Sequence, residues 1–86
     1  MNSSAAKIDP DFFASRVWCT DDFLHVELTD GREIKVPLEF YPRLKQATPA
    51  EREHVELIGL GSGIHFKDID EDLSVEGILL GIPARF

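Results

Sequence analysis

Three aspartates recur at every second position near the end of the sequence, at Asp68, Asp70 and Asp72. Carboxylates at alternate positions at the start of a loop are typical of an EF-hand calcium site. That loop also needs glycine at its sixth position and a bidentate acid at its last, where this chain has Leu73 and Leu79. The spacing therefore excludes an EF-hand.

A looser divalent-metal site in the same segment stays open, because His65 precedes the three aspartates. Carboxylate oxygens suit magnesium and manganese, and a neighbouring imidazole could act as a general base. One alternative function is therefore a metal-dependent enzyme that uses His65, Asp68, Asp70 and Asp72. A helix that begins near Ser74 would explain the same acids without a metal, because carboxylates stabilise the partial positive charge of a helix N-terminus.

Other patterns that can indicate catalysis are incomplete in this sequence. Gly59, Gly61 and Gly63 are not a dinucleotide fingerprint, which needs glycine where Ile64 stands and must lie between a strand and a helix. The single cysteine, Cys19, lies among strand-forming residues with no local support for a nucleophile. We therefore expect no catalytic residues and no cofactor, and the preferred interpretation is that the protein is not an enzyme.

Two arginines and the acidic segment are the candidates for binding a partner. Arg43 and Arg52 are expected on two short helices that follow one another, and a planar guanidinium can engage a carboxylate through two hydrogen bonds. We also expect an arginine of this region to neutralise part of the acidic turn. The predicted partner-binding residues are Arg43, Arg52, His65, Asp70, Glu71 and Asp72.

The charge balance restricts the kind of partner. The 86 residues include 16 acids and 9 scattered Lys or Arg residues, for a formal net charge of −7. Affinity for nucleic-acid backbones comes mostly from clustered Lys and Arg, so we expect no direct nucleic-acid binding and no binding to anionic membranes. A basic protein is the expected partner. A further alternative is an acidic inhibitor that imitates phosphate and so blocks a nucleic-acid-binding protein.

The sequence also carries a prediction about location. No apolar run approaches the roughly 20 residues of a transmembrane helix, and the first residues do not resemble a signal peptide. One cysteine cannot form an internal disulfide. We therefore expect a cytoplasmic protein; the oligomeric state stays open.

Three consecutive strands come first among the elements that position these residues. Residues 16–20 are rich in strand formers, and apolar and polar side chains alternate over 23–28 and 33–38. A three-residue loop at 29–31 lets both alternating sets bury the same face, with Gly31 in the left-handed conformation. Consecutive strands with short connections predict an antiparallel sheet.

Helices are expected in the middle of the chain. A short one begins near Pro42. Thr48 to Glu51 form a capping box with proline at the first helical position, which predicts a helix from 49 to about 57.

The last third of the sequence adds one strand and one helix. Residues 64–66 are long enough only for a strand, and Asp72 or Ser74 caps a last short helix. The sequence therefore predicts an α+β fold: a small antiparallel sheet of three consecutive strands plus one later short strand, with two to three short helices packed on one face. We expect a disordered tail over 1–8 and a single domain over 9–86.

Several motifs keep the order and spacing of a known bacterial family. They are Leu28-Thr29-Asp30-Gly31-Arg32, Val36-Pro37-Leu38, Tyr41-Pro42-Arg43-Leu44, Ala47-Thr48-Pro49-Ala50-Glu51-Arg52, Gly63-Ile64-His65-Phe66 and Asp70-Glu71-Asp72-Leu73-Ser74 with the residues up to Gly81. Over about 16–82 the chain resembles the small family known as domain of unknown function 2442. Phe66 stands where members usually have tryptophan, which is a conservative aromatic change.

The resemblance implies a compact α+β domain with no established enzyme activity. Members are often encoded beside another small protein, in pairs that resemble toxin–antitoxin systems. The favoured hypothesis is therefore a non-catalytic bacterial protein-binding module, the antitoxin or regulatory half of such a pair, whose protein partner is encoded by the neighbouring gene.

Overall fold

The computed structural model describes residues 13–82. In chain order its strands and α-helices are β1 (Ala14–Cys19), β2 (Phe23–Leu28), β3 (Glu33–Pro37), α1 (Pro42–Gln46), α2 (Pro49–Glu53), β4 (Val55–Ile58), β5 (Gly63–Phe66), β6 (Glu71–Ser74) and α3 (Val75–Leu79). Short 3-10 turns cover Leu38–Phe40 and Gly59–Gly61. The disordered tail predicted for 1–8 lies outside the described residues. Within them, no helix has the length and apolar character needed to cross a membrane.

Two antiparallel sheets of three strands each carry the fold. Strands β1-β2-β3 form the first sheet and β4-β5-β6 form the second, so within each sheet the strands pair in the order in which they occur along the chain. The predicted α+β class is confirmed. The strand count is corrected: we predicted one strand after the helices, and the structure has three, which form a sheet of their own.

The first sheet has the predicted register. Val26 lies opposite Ile34 and Leu24 opposite Val36, so the apolar sets of β2 and β3 share a face. Gly31 closes the turn with a φ of +96°, as predicted for the three-residue loop. A slip of one residue would turn every side chain of a strand to the other face, so burial of Leu24 and Val26 specifies this pairing.

The capping box at the start of α2 is confirmed. The hydroxyl oxygen of Thr48 accepts a hydrogen bond of 3.1 Å from the Glu51 amide, and the Glu51 carboxylate accepts one of 2.8 Å from the Thr48 amide. The predicted extent of the helix is wrong, because α2 ends at Glu53 and not near residue 57.

The segment 55–58 forms strand β4. Half-buried Val55 and Leu57 alternate with exposed Glu56 and Ile58, which is the period of a strand and not of a helix. Pairing with β5 gives this segment its hydrogen bonds to a neighbouring strand. Tertiary pairing therefore overrides the helical prediction for this segment.

Strand β6 replaces the end of the predicted acidic turn. Glu71 pairs with Phe66 and Leu73 with Ile64, so the turn between β5 and β6 covers only 67–70. Of the two predicted caps for the last helix, Ser74 is the one used, because its hydroxyl accepts a 2.9 Å hydrogen bond from the Gly77 amide.

One hydrophobic core joins the two sheets. Both sheets and the helices α1 and α3 contribute to its buried members, which include Leu24, Val26, Leu28, Leu38, Tyr41, Leu44, Ile64, Phe66, Val75 and Ile78. At one point backbone packs directly on backbone: a Cβ built on Gly61 would lie 2.4 Å from the carbonyl oxygen of Ala14. The turn after β4 is therefore seated against the start of β1.

Candidate functional site

Arg43 of α1 holds the turn between β5 and β6. Its Nη1 donates a 3.2 Å hydrogen bond to the carbonyl oxygen of Asp70 and lies 4.0 Å from a carboxylate oxygen of Glu71. Asp70 has a φ of +52°. Three of the predicted partner-binding residues are thus brought together, and their arrangement matches the expected contact between an arginine and the acidic turn.

Glu71 is a buried carboxyl, with only 4% of the residue exposed. Burial raises the pKa of this carboxyl, Arg43 lowers it in part, and the charges of Asp72 and Asp70 raise it further. The buried hydroxyl of Tyr41 has no hydrogen-bond partner among the described residues. Burial first and the Glu71 charge second raise the pKa of Tyr41 to about 12, so this phenol stays protonated at neutral pH.

Two histidines pair with two different aspartates. His65 of β5 contacts Asp72 of β6 at 2.5 Å through Nδ1, and His54 contacts Asp68 at 2.5 Å in the same way. Within residues 13–82, no group of three or more His, Cys, Asp or Glu side chains is placed to hold a metal ion. The cluster of His65, Asp68, Asp70 and Asp72, on which the alternative of a metal-dependent enzyme depended, is therefore not assembled within these residues.

The hydrogen bonds that Arg52 makes within residues 13–82 go to α1 and not to the acidic segment. Its Nε donates a 3.0 Å hydrogen bond to the carbonyl oxygen of Leu44, and its Nη2 donates one of 2.8 Å to that of Lys45. These carbonyl groups belong to the last turn of α1, where a cation stabilises the negative end of the helix dipole. A role in joining α1 to α2 was not predicted for this residue.

The outer face of the second sheet is open to solvent. We define this outer face by two cross-strand rows: Glu56–His65–Asp72 and Ile58–Gly63–Ser74. His65 and Gly63 are half-buried and the other four residues are exposed. The face is polar along the first row and apolar where Ile58 lies over Gly63.

Leu60 lies in the turn that joins β4 to β5, next in the chain to the Ile58–Gly63–Ser74 row of this outer face. It lies between Gly59 and Gly61 in the turn after β4, has a φ of +62° and is 93% exposed. Ile58, two residues earlier, is 42% exposed. The glycine spacing predicted a turn here, but not a leucine held in a left-handed conformation at its centre.

A pocket of about 430 Å³ lies beside β1, between that strand and the segment formed by α2 and β4. Trp18 lines it and is held in place by its neighbours. Its ring stacks on His25, with centroids 5.1 Å apart and planes within 4°, and the Arg16 guanidinium lies 4.6 Å from its centroid. Sequence reasoning missed this pocket, because its walls come from separate parts of the chain.

Comparison with known families identifies the chain. The family described as protein of unknown function DUF2442 matches it over residues 14–84. The chain belongs to this family. The resemblance expected over about 16–82 is thereby confirmed. No curated protein matches this DUF2442 chain.

Two solved structures share the DUF2442 fold. A crystal structure of a protein of unknown function from Rhodospirillum rubrum is 27% identical, with a TM-score of 0.76 over 85% of this chain and 90% of that one. A solution NMR structure of an uncharacterized protein from Chromobacterium violaceum is 24% identical, with a TM-score of 0.72 over 85% of this chain and 69% of that one. These two structures share the fold of the chain and assign no activity to it.

Proposed function

We propose that this DUF2442 domain is a non-catalytic protein-binding module, the antitoxin or regulatory half of a bacterial gene pair, and that it binds a basic partner protein through the outer face of its second sheet and Leu60. The observation that carries the proposal is the exposure of Leu60 in a left-handed backbone conformation. The family and the solved structures leave this function open.

Folding alone does not account for leucine at this position. A Cβ in the left-handed conformation costs about 1–2 kcal/mol, which glycine avoids. The side chain adds little to the core because it is 93% exposed. Strained backbone and adjacent exposed apolar side chains both favour a contact with another molecule, and Ile58 extends the apolar surface.

Charge supports a basic partner. Glu56 and Asp72 flank His65 in one row of the outer face, and the whole chain carries a formal charge of −7. One exposed base, Lys67, follows β5 directly. The two exposed acids of the outer face, Glu56 and Asp72, outnumber it. A surface potential of one sign accelerates association with a partner of the opposite sign, and it makes the association rate sensitive to salt.

The test is co-expression of the chain with the product of its neighbouring gene, followed by calorimetry on the purified proteins. We expect a complex whose affinity falls with salt. Leu60→Gly removes the apolar side chain and relieves the backbone, so affinity should fall at least about tenfold, the loss of a moderate interface residue. The folded Leu60→Gly variant should be as stable as the wild type or more stable. Leu80→Ala, at an exposed leucine after α3, is the matched control.

A charge-matched pair tests the polar row. Glu56→Gln should weaken the complex. Glu53→Gln, at the end of α2, changes the net charge by the same amount and should leave the affinity of the complex unchanged. The proposal is wrong if no complex forms, or if Leu60→Gly and Glu56→Gln both bind the partner as tightly as the wild type.

A further inference from the structure

The pocket beside β1 lies on the other side of β4 from the outer face. Val55 lines the pocket, whereas Glu56, the next residue, belongs to the outer face. Its volume of about 430 Å³ lies in the lower part of the range of roughly 300–1,000 Å³ that is typical of small-molecule sites. Val17 and Val55 contribute apolar side chains to its lining, which also includes Trp18.

Arg52 presents unused donors at this pocket. Its hydrogen bonds within residues 13–82 use Nε and Nη2, which lie on one edge of the guanidinium. They anchor that edge to the last carbonyl groups of α1. The N–H groups of Nη1 have no protein acceptor in the same range, and Arg52 lines the pocket. A fixed guanidinium with free donors is suited to a carboxylate.

Two carboxylates line the same pocket. Asp21, in the turn after β1, and Glu53, at the end of α2, are both exposed, and neither forms an ion pair or side-chain hydrogen bond within residues 13–82. With these two acids beside Arg52, a simple anion would be repelled as well as attracted. A ligand with one negative and one positive group satisfies both kinds of side chain.

We propose that this pocket binds a small aliphatic zwitterion with the chemistry of a free α-amino acid. The carboxylate of the ligand accepts from Nη1 of Arg52, its ammonium group donates to Glu53 or Asp21, and its aliphatic part packs against Val17 and Val55. Charge-assisted hydrogen bonds at both ends fix the orientation of the ligand. This inference does not rest on the proposed protein partner, since it uses different residues.

The chain contains its own reporters for this site. Trp18 is the only tryptophan and Cys19 the only cysteine of the sequence, and both line the pocket. The whole chain is titrated with L-leucine into the millimolar range while Trp18 fluorescence and the rate of Cys19 alkylation are followed. Isocaproate, which lacks the amine of leucine, and isoamylamine, which lacks the carboxylate, are the matched compounds.

We expect saturable binding of leucine, with each matched compound binding about tenfold more weakly, the effect of one charge-assisted hydrogen bond. Glu53→Gln should weaken leucine binding and, because it removes a charge that repels the anion, leave isocaproate binding unchanged or strengthen it, whereas Glu56→Gln should change neither. Glu53 is exposed, so this variant is expected to fold. No saturable signal with leucine, or equal binding of all three compounds, would overturn the proposal. Leucine binding that is unaltered in both Glu53→Gln and Asp21→Asn would overturn it as well.

Discussion

Nη1 of Arg43 donates a 3.2 Å hydrogen bond to the backbone carbonyl oxygen of Asp70, a residue whose φ is +52°. The bond joins α1, which follows the first sheet, to the turn inside the second sheet. It also places a cation 4.0 Å from the buried carboxylate of Glu71. The contact therefore connects two parts of the fold. It also supplies the main favourable interaction for the buried charge of Glu71.

Arg43→Gln should lower the free energy of unfolding by about 1–3 kcal/mol at neutral pH, because it leaves a buried charged group without its partner. Urea denaturation measures the change. Arg32→Gln is the control, since Arg32 pairs with Asp30 on the surface and such pairs contribute about 0–1 kcal/mol. Equal losses in the two variants would contradict a special role for Arg43.

Glu71 should give the protein an unusual dependence on pH. Because the folded pKa is raised, chiefly by burial, the folded state holds this proton more tightly than the unfolded chain. This carboxyl therefore lowers stability as pH rises from its ordinary value of 4.5 through the raised folded pKa. Glu71→Gln cannot titrate, so the melting temperature of the variant relative to the wild type should increase over that window.

Glu39 supplies a control of opposite sign. A backbone hydrogen bond and Lys45 lower the pKa of this exposed carboxyl. Glu39 therefore contributes stability above its ordinary pKa and loses it as pH falls, so the melting temperature of Glu39→Gln relative to the wild type should decrease as pH rises. If the two variants show slopes of the same sign, the assignment of Glu71 is wrong.

Alanine substitutions at Gly31 and Gly61 distinguish the cost of backbone strain from the cost of a steric clash. Their φ angles are +96° and +98°, but a Cβ on Gly31 would meet nothing within 4 Å, whereas one on Gly61 would lie 2.4 Å from the Ala14 carbonyl oxygen. Gly31→Ala should cost about 1–2 kcal/mol from the backbone alone. Gly61→Ala should cost clearly more in the same chemical denaturation assay, and similar costs would mean that the turn moves away from β1 easily.

Thr48→Ala should lower stability by about 0.5–2 kcal/mol, the usual contribution of an N-cap side chain. The variant loses the hydrogen bond from the Glu51 amide to the Thr48 hydroxyl. Thr29→Ala is the control, because the hydroxyl of Thr29 makes no hydrogen bond within the described chain. Thermal unfolding by circular dichroism distinguishes the two, and an unchanged midpoint for Thr48→Ala would show that the cap is dispensable.

Cys19 should react slowly in the folded protein. Burial raises the pKa of this thiol from 9.0 to about 11, although the Arg52 charge opposes the shift. The thiolate is the reactive form, so alkylation near pH 8 should be about a hundredfold slower than in the urea-unfolded chain. Iodoacetamide kinetics followed by mass spectrometry provide the measurement. Equal rates in both states would show that the thiol is not shielded.

Local signals predicted the parts of the fold that depend on nearest neighbours. The turn at Gly31 and the cap at Thr48 both follow from hydrogen bonds and dihedral angles within a few residues. The strands β4 and β6 were missed because they are stabilised by pairing with β5 and not by a signal in their own local sequence. A helix that begins at Thr48 can extend to residue 57 on propensity alone, and only the partner strand decides against it.

The candidate site was also predicted only where local sequence decides the contacts. An arginine near the acidic turn was predicted from charge, since four carboxylates in a short segment require a cation. The splitting of His65 and Asp68 between two separate pairs was not predicted, because it depends on which strand faces which. Leu60 and the pocket at Trp18 likewise depend on contacts between distant segments.

Because each sheet is built only from strands that follow one another in the chain, forming it closes short loops alone. The entropy lost on closing a loop grows with its length, and folding rates fall as contacting residues become more distant in sequence. Each of the two sheets can therefore form by the successive pairing of neighbouring hairpin strands. We therefore expect the slow step of folding to be the docking of the two sheets, in which the backbone of Gly61 packs against Ala14.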